Sequence, residues 1–241
     1  MRLSVKQKST FALQAAAHAV KELQPNKLLN EKVEWKKGKL FVEGKPIPYT
    51  GKIFCIGFGK AAGRMAEALE KIIPVQEGVV SVPRGTGKAL KLKKIRFVEA
   101  GHPYPDRGSI ESAKKMLALA KKAKRNDLLI VLVSGGGSAL VELPEKGFTL
   151  EKIVGRTKNL MLSGAGIHEL NAERRKMSAV KGGKLARKFK CKIVNLVLSD
   201  VLGNDLRTIA SGPTIKKGSL DFVLASSETA VEAAAKYLRV R

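Results

Sequence analysis

The sequence predicts an α/β protein with a Rossmann-like three-layer fold and a mostly parallel sheet. Short apolar segments of strand character alternate with longer segments whose apolar residues recur at helical spacing. The segment 128–140, LLIVLVSGGGSAL, shows the clearest pattern, because an apolar strand ends abruptly in a glycine-rich turn. At 241 residues the chain can bury a substantial core as a single domain, 1–241.

A helix and a hairpin precede the predicted core. Near-helical spacing of apolar residues predicts a helix over 4–24 that ends before Pro25. The segment VEWKKGKLFV predicts a hairpin over 33–42, and we interpret helix and hairpin as an appendage. The core alternation then begins, with strands predicted at 52–57, 78–82 and 95–98 and helices at 60–73 and 108–124.

The second half continues the alternation. A strand at 128–133 is followed by a helix to 162, for which Thr149 provides the N-cap hydroxyl. A short charged segment over 170–178 and a helix over 184–190 come next. The remaining predictions are a strand at 191–198, a loop to 213, a strand at 221–225 and a helix at 227–238.

The formal net charge of +25 arises from 46 lysines and arginines against 21 acids. Such a field attracts polyanions, and it also suits phosphorylated or carboxylate substrates. No zinc-finger or RNP motif accompanies the lysines, and aromatic residues are only 5% of the chain. We therefore favour a solvated basic surface over a dedicated nucleic-acid site.

Two further observations concern the compartment. No apolar segment approaches the roughly 20 residues that span a bilayer, so we expect no membrane segment. Cys55 and Cys191 lie in apolar strand-like segments and are predicted to be buried thiols. Free thiols favour a reducing cytoplasm.

The glycine-rich turn is the first candidate binding element. It consists of Ser134, Gly135, Gly136, Gly137 and Ser138. Without Cβ atoms, successive backbone N–H groups can lie against a ligand and cradle an anion. A tight connection without a ligand is the alternative.

The first core strand is followed by GFGKAAG, 57–63, which resembles a dinucleotide fingerprint. The acid that should follow about 20 residues later is absent, although Arg84 keeps an NADP version open. Lys60 stands at a helix start, where the macrodipole disfavours a cation. This placement favours an anion held jointly by Lys60 and the helix N–H groups.

Two more segments carry polar candidates. Asp200 directly follows the predicted strand 191–198, where a carboxylate can hold Mg²⁺ or accept a hydroxyl proton, although an Asx turn would also explain it. Asn171, Arg174 and Lys181 belong to a basic segment that ends in two glycines and suits phosphate or carboxylate binding. A solvated charge run is the alternative there. The three histidines show no metal-ligand spacing with the cysteines.

Seven motifs occur in order: GFGKAA, GHPYPD, LVSGGGSAL, LSGAGIHELN, RRKMSAVKGGKLA, LVLSDVLGNDL and ASGPT. Together they resemble the N-terminal domain of glycerate 2-kinases that carry a leucine-rich C-terminal domain. The resemblance implies phosphorylation of D-glycerate at its 2-hydroxyl by ATP with Mg²⁺. It implies that Lys60 is the active-site lysine, that Lys60 and Arg174 neutralise substrate anions, and that Asp200 orients the hydroxyl or a metal ion.

The resemblance also sets an expectation about partners. The family's leucine-rich C-terminal domain does not follow residue 241, so the resemblance leaves three interpretations open: a fragment, a decayed relative, or a subunit whose site is completed by a separate polypeptide carrying that domain or by a homodimer. Two alternatives remain at this stage. One is an NADP-linked reductase of hydroxypyruvate-like acids, and the other is a non-catalytic basic binding module.

Overall fold

Two helices and a small antiparallel sheet begin the chain in the computed structural model, which describes residues 4–239. Helix α1 spans Val5–Glu22 and α2 spans Pro25–Lys32. The sheet consists of β1 Val33–Lys36, β2 Lys39–Val42 and β3 Lys45–Ile47, in that order.

A second sheet of six strands forms the centre of the molecule. Every neighbouring pair in it is parallel, and its order is β6-β5-β4-β7-β8-β9. Parallel strands buried on both faces read as continuous apolar runs, which is how these segments read in the sequence. The strands are β4 Ile53–Phe58, β5 Val75–Pro83, β6 Ile95–Ala100, β7 Leu128–Val133, β8 Lys192–Leu198 and β9 Leu220–Ala225.

Helices connect these strands. They are α3 Ala62–Ile72, α4 Arg107–Lys122, the single-turn α5 Gly137–Leu140, α6 Leu150–Leu162, α7 Ile167–Met177 and α8 Ser227–Arg239. Asp106 caps α4 by accepting a hydrogen bond from the Ser109 amide, and Thr149 caps α6 through the Lys152 amide. Short 3₁₀ turns at Gly87–Ala89, Ala186–Lys188, Leu202–Asn204 and Ile209–Ser211 complete the connections.

Apolar side chains fill both faces of the central sheet. Alternate residues point to opposite faces of a strand, so Cys55 and Ile130 join one core while Ile56 and Val131 join the other. The first core includes α3 and residues of the small sheet, such as Leu40. The second core lies under α4 and the segment 180–189. The result is the three-layer arrangement that the sequence predicts.

The strand order reverses direction between β4 and β7. From β4 the chain adds β5 and then β6 toward one edge of the sheet. From β7 it adds β8 and then β9 toward the other edge. In open parallel sheets a ligand crevice forms at this point, beyond the carboxyl ends of the strands. The loop that carries Lys60 follows β4, and the glycine-rich turn follows β7, so the two candidate segments are neighbours.

Most predicted elements are confirmed within a few residues, and the strand at 128–133 has the predicted bounds. The helix predicted over 184–190 is wrong, because only a 3₁₀ turn at 186–188 forms there. Backbone hydrogen bonds fix this segment instead: the Gly183 amide donates to Gly212, and the Ala186 amide donates to Pro213. Gly182 and Gly183 also have positive φ, which ends helical geometry before residue 184.

Four elements were missed: α2, β3, the single-turn α5, and α7, for which the sequence predicts only a short charged segment over 170–178. Pro25 ends the first helix as predicted but also begins α2, a position that proline favours. The small sheet is a separate sheet, yet Val33, Leu40 and Ile47 pack into the first core, so it is more than an appendage. Both cysteines are free and buried, as predicted. Among residues 4–239 no helix is long and apolar enough to cross a membrane.

Candidate functional site

The glycine-rich turn after β7 is fastened to the loop after β4. The Ser134 hydroxyl accepts a hydrogen bond from the Ala61 amide at 3.0 Å, and the Gly135 carbonyl accepts one from the Lys60 amide at 2.9 Å. Gly59 makes this approach possible, because its φ is +135° and a Cβ there would lie 2.2 Å from Ser134 Oγ. The two loops therefore form one rigid floor.

This fastening bears on one sequence prediction. The amides of Lys60, Ala61 and Ala62, where α3 begins, already donate within the protein, so these three are not available to hold an anion together with the Lys60 side chain. In the described part of the chain, the amides of Gly135, Gly136 and Gly137 donate to no protein acceptor. Successive free amides of this kind form an anion cradle. Free backbone donors thus lie on the β7 side of the crevice.

Three polar side chains converge on the glycines. A Cβ on Gly136 would lie 2.8 Å from His102 Nε2 and 3.3 Å from Lys60 Cε. A Cβ on Gly135 would lie 2.0 Å from Asp200 Oδ2. The absence of side chains at 135 and 136 is therefore what lets Lys60, His102 and Asp200 lie directly over the turn.

A cavity of about 790 Å³ opens above this floor. Its volume falls in the range of small-molecule sites. It brings together most of the sequence-predicted site residues, including Lys60, Asn171, Arg174 and Asp200. Its other polar lining residues are His102, Gly136, Ser138, His168, Asp205 and Thr208.

Arg174, on α7, is half-buried in the cavity wall. Within residues 4–239 its guanidinium makes no hydrogen bond or ion pair. Burial lowers the pKa of Arg174, and Glu142 opposes that shift through space. A desolvated guanidinium without an acceptor favours an anionic ligand that can accept its forked hydrogen bonds.

A hydrogen-bond chain holds one side of the cavity. Ser138 Oγ lies 2.9 Å from Ser211 Oγ, which donates to Asn171 Oδ1 at 2.7 Å. The other end of the Asn171 amide donates to the Thr208 carbonyl at 3.2 Å. Asn171, predicted as a ligand contact, thus uses both ends of its amide on the protein. Its observed role is to join α7, the glycine turn and the 205–212 loop.

Lys181 does not line the cavity. Its side chain is 0% exposed, and its ammonium donates to Glu142 Oε2 at 2.6 Å and to the Val141 carbonyl at 3.0 Å. Burial lowers the pKa of Lys181, while Glu142 opposes the shift. The predicted solvent-facing phosphate ligand is therefore a buried ion-paired lysine.

Several site residues were missed from the sequence. His102 lies in the GHPYPD motif but was not assigned to the site, and His168 and Thr208 were not assigned either. His102 could have been found from its position just after β6, because ligands bind beyond the carboxyl ends of parallel strands. Burial and the nearby Lys60 cation lower the pKa of His102, so its neutral form is favoured.

The carboxylates in the cavity suit a metal ion that arrives with a phosphate ligand. Asp200 is exposed and makes no hydrogen bond or ion pair among the described residues. The Thr208 hydroxyl, donating to Asp205 at 2.6 Å, is the main cause of the lowered pKa of that carboxyl. No group of three or more His, Cys, Asp or Glu residues able to hold a metal exists within 4–239. Mg²⁺ is commonly bound by one or two carboxylates plus substrate phosphates, and Asp200 fits that mode.

Fold and site together define an α/β domain of doubly wound topology, with a cleft at its switch point that is lined by cations and amides without a protein partner within residues 4–239. A family model described as "Domain of unknown function (DUF4147)" matches residues 11–236. The chain therefore belongs to this family.

Named relatives refine the comparison. The chain is 45% identical to the glycerate 2-kinase of Pyrococcus horikoshii over 206 residues, which are 86% of this chain and 46% of that protein. A solved glycerate kinase from Thermotoga maritima matches with a TM-score of 0.73 and 33% identity, over 96% of this chain and 52% of that one. The resemblance to glycerate 2-kinases is confirmed.

Two further matches bear on coverage and on the alternative function. A solved Pyrococcus horikoshii protein has a TM-score of 0.86 and 34% identity, over 100% of this chain and 64% of that chain. A protein of Agrobacterium vitis named as a hydroxypyruvate reductase is 42% identical over 167 residues, 68% of this chain and 43% of that protein. The chain spans about half the length of the curated relatives it matches.

Proposed function

We propose that this domain supplies the catalytic cleft of a glycerate 2-kinase, which transfers a phosphoryl group from ATP to the 2-hydroxyl of D-glycerate. The observation that carries the proposal is the convergence of Lys60, Arg174 and Asp200 around the free amides of the glycine turn. Phosphoryl transfer needs little covalent help from a protein and depends on positioning and charge neutralisation. Two cations, a row of amides and a free carboxylate meet that need.

Each side chain receives a role from its position. Arg174 binds the glycerate carboxylate, because a guanidinium fork matches a carboxylate in two parallel hydrogen bonds. Lys60 and the amides of Gly135, Gly136 and Gly137 neutralise phosphoryl oxygens. Asp200, over Gly135, accepts the proton of the attacking hydroxyl or orients that hydroxyl.

Asp200 is also the residue that would hold the Mg²⁺ of the nucleotide. Bound there, the ion would neutralise negative charge that develops on the phosphoryl group during transfer. His102, favoured in its neutral form, can donate or accept a hydrogen bond beside Lys60 without adding charge.

The reductase alternative is weaker on physical grounds. A dinucleotide fold binds pyrophosphate through free amides at the start of the first helix. Here the amides of Lys60 and Ala61 are used internally, and Arg84 is paired with Asp106 rather than free for a 2′-phosphate. The name of the Agrobacterium vitis relative keeps nicotinamide binding worth measuring.

A product analysis tests the proposal. The chain is incubated with D-glycerate, ATP and Mg²⁺, alone and with a polypeptide carrying the remaining half of the Pyrococcus horikoshii relative, and the product is identified by ³¹P NMR. We expect 2-phosphoglycerate, at least in the mixture. Exclusive formation of 3-phosphoglycerate would overturn the site of transfer, and saturable nicotinamide binding without phosphoryl transfer would favour the reductase.

The working context follows from the same proposal. A second polypeptide or a second copy of the chain is the proposed partner for the complete cleft, and the mixing experiment addresses the first of these. Buried free thiols at Cys55 and Cys191 support work in a reducing cytoplasm.

A further inference from the structure

A buried ion pair lies behind the anion-binding wall and is not used by the proposed chemistry. Lys181 and Glu142 are 0% and 1% exposed, with Nζ and Oε2 2.6 Å apart. The second carboxylate oxygen, Glu142 Oε1, accepts from the Leu143 amide at 2.9 Å. A buried ion pair is often no more stabilising than apolar residues of similar volume, so its presence asks for another explanation.

The pair joins segments that carry the cavity walls. Lys181 also donates to the Val141 carbonyl, directly after the short helix that ends the glycine turn. Next to Lys181, the Gly182 amide donates to the Ser211 carbonyl at 3.1 Å. Ser211 in turn holds Ser138 and Asn171, both of which line the cavity. The glycine turn, the 205–212 loop and α7 are therefore linked, through Gly182 and Ser211, to the segment that carries the ion pair.

The same neighbourhood fixes the end of α7. The Ala179 amide donates to the Leu143 carbonyl at 2.7 Å, and the Glu145 amide donates to the Met177 carbonyl at 2.8 Å. The segment that follows Glu142 is thus hydrogen-bonded to the segment that joins α7 to Lys181, at the end of the helix that carries Arg174. Arg174 is within electrostatic range of both members of the pair.

We propose that Lys181 and Glu142 are positioning residues, which hold the guanidinium of Arg174 and the glycine turn in register for an anionic ligand. The inference rests on the proposed function for the identity of that ligand, D-glycerate, but not for the presence of an anion site. Neither residue touches the ligand. A misplacement of about 1 Å in a binding group can cost roughly 100-fold, so a hidden pair can control affinity.

The test is a double-mutant cycle between the pair and Arg174. The variant Lys181→Met with Glu142→Gln removes both charges and keeps an acceptor for the Leu143 amide. We expect it to fold, to raise the KM for D-glycerate about 10- to 100-fold, and to change kcat and the KM for ATP less than threefold. Added to Arg174→Ala, the same double change should raise the KM less than twofold further, because the guanidinium it positions is gone.

Additive effects in the cycle, or an unchanged glycerate KM in the double variant, would overturn the inference. If that variant does not fold, Glu142→Asp, which keeps both charges and shortens the carboxylate arm, takes its place in the same cycle. Binding of inorganic phosphate, measured by calorimetry in the same four proteins of the cycle, separates this inference from the proposed function. Loss of coupling in phosphate binding contradicts the inference, while coupled phosphate binding without glycerate turnover contradicts only the kinase assignment.

Discussion

Two lysines that look alike in the sequence have opposite environments in the structure. Lys60 and Lys181 both stand next to glycines, in segments that suggest anion binding. Lys60 is exposed over Gly136 and makes no ion pair among the described residues, whereas Lys181 is fully buried and paired with Glu142. The difference comes from the surroundings of each loop: the loop after β4 opens into the crevice, whereas the segment at 181 packs against the second core.

The two lysines show two different uses of a cation, ligand binding and support of the fold. A cation that is left without a partner at the carboxyl ends of parallel strands is available to a ligand. A cation that already has a carboxylate within hydrogen-bond distance in the core supports the fold and the placement of neighbours.

The largest effect is expected for Lys181→Met alone. Removing one partner leaves the Glu142 carboxylate buried without its counter-charge, which typically costs about 3–5 kcal/mol. Urea unfolding should show this loss in the free energy of unfolding. A matched change at exposed Lys71, on α3, should stay within about 0.5 kcal/mol. Equal stabilities for the two variants would remove the constructional role of Lys181.

Lys60→Met should have the converse effect. We expect kcat for glycerate phosphorylation to fall about 100- to 1,000-fold, as when one electrostatic donor is removed from a transition state. The free energy of unfolding should change by less than about 0.5 kcal/mol, because the side chain is exposed. Steady-state kinetics on the active assembly, with Lys71→Met as control, measure it; unchanged kcat would exclude Lys60 from the chemistry.

Gly135→Ala tests the close approach of Asp200 to the glycine-rich turn. A Cβ there would lie 2.0 Å from Asp200 Oδ2, so the flexible carboxylate must move away from the turn. We expect kcat to drop roughly tenfold with little change in stability. Gly155→Ala is the matched control, since it faces open space within α6 and should raise stability by about 0.4–1 kcal/mol. Full activity in Gly135→Ala would place Asp200 outside the reaction.

The smallest effect concerns the titration of His102. Burial and the Lys60 cation both lower the pKa of His102 below its usual 6.5. Lys60→Met removes the second cause, so the pKa of His102 should rise toward that value while burial still holds it down. ¹H NMR of the imidazole across pH 4–8 follows the change. An identical midpoint in both proteins would mean that the two side chains are farther apart than the structure has them.

Much of the fold could be predicted because the strands are apolar and the turn and capping residues between the elements are distinctive. The β7 strand with its glycine turn, the hairpin at 33–42 and the Thr149 cap all follow from local chemistry. The helix expected over 184–190 failed because hydrogen bonds to residues 212 and 213, distant in the sequence, override helix propensity. Tertiary contacts of that kind leave no local signal.

The site divides in the same way. Lys60, Ser138, Arg174 and Asp200 were predictable, since strand ends and glycine turns mark the crevice, and all four line the cavity. Burial of Lys181 was not predictable, because its partner Glu142 lies 39 positions earlier and looks like any surface acid. Likewise, nothing in the sequence says that the amides of Lys60 and Ala61 are used by the turn after β7.

Stabilisation of the fold by a bound ligand shows directly whether Lys60 contacts that ligand. Urea unfolding is measured with and without a non-hydrolysable ATP analogue at about 100 times its dissociation constant. Wild type and Lys71→Met should each gain about 2.7 kcal/mol, the gain that such saturation gives for one site. Lys60→Met should gain far less at the same concentrations. An equal gain in Lys60→Met would contradict the account, because the lysine over the glycine turn would then have no contact with what binds there.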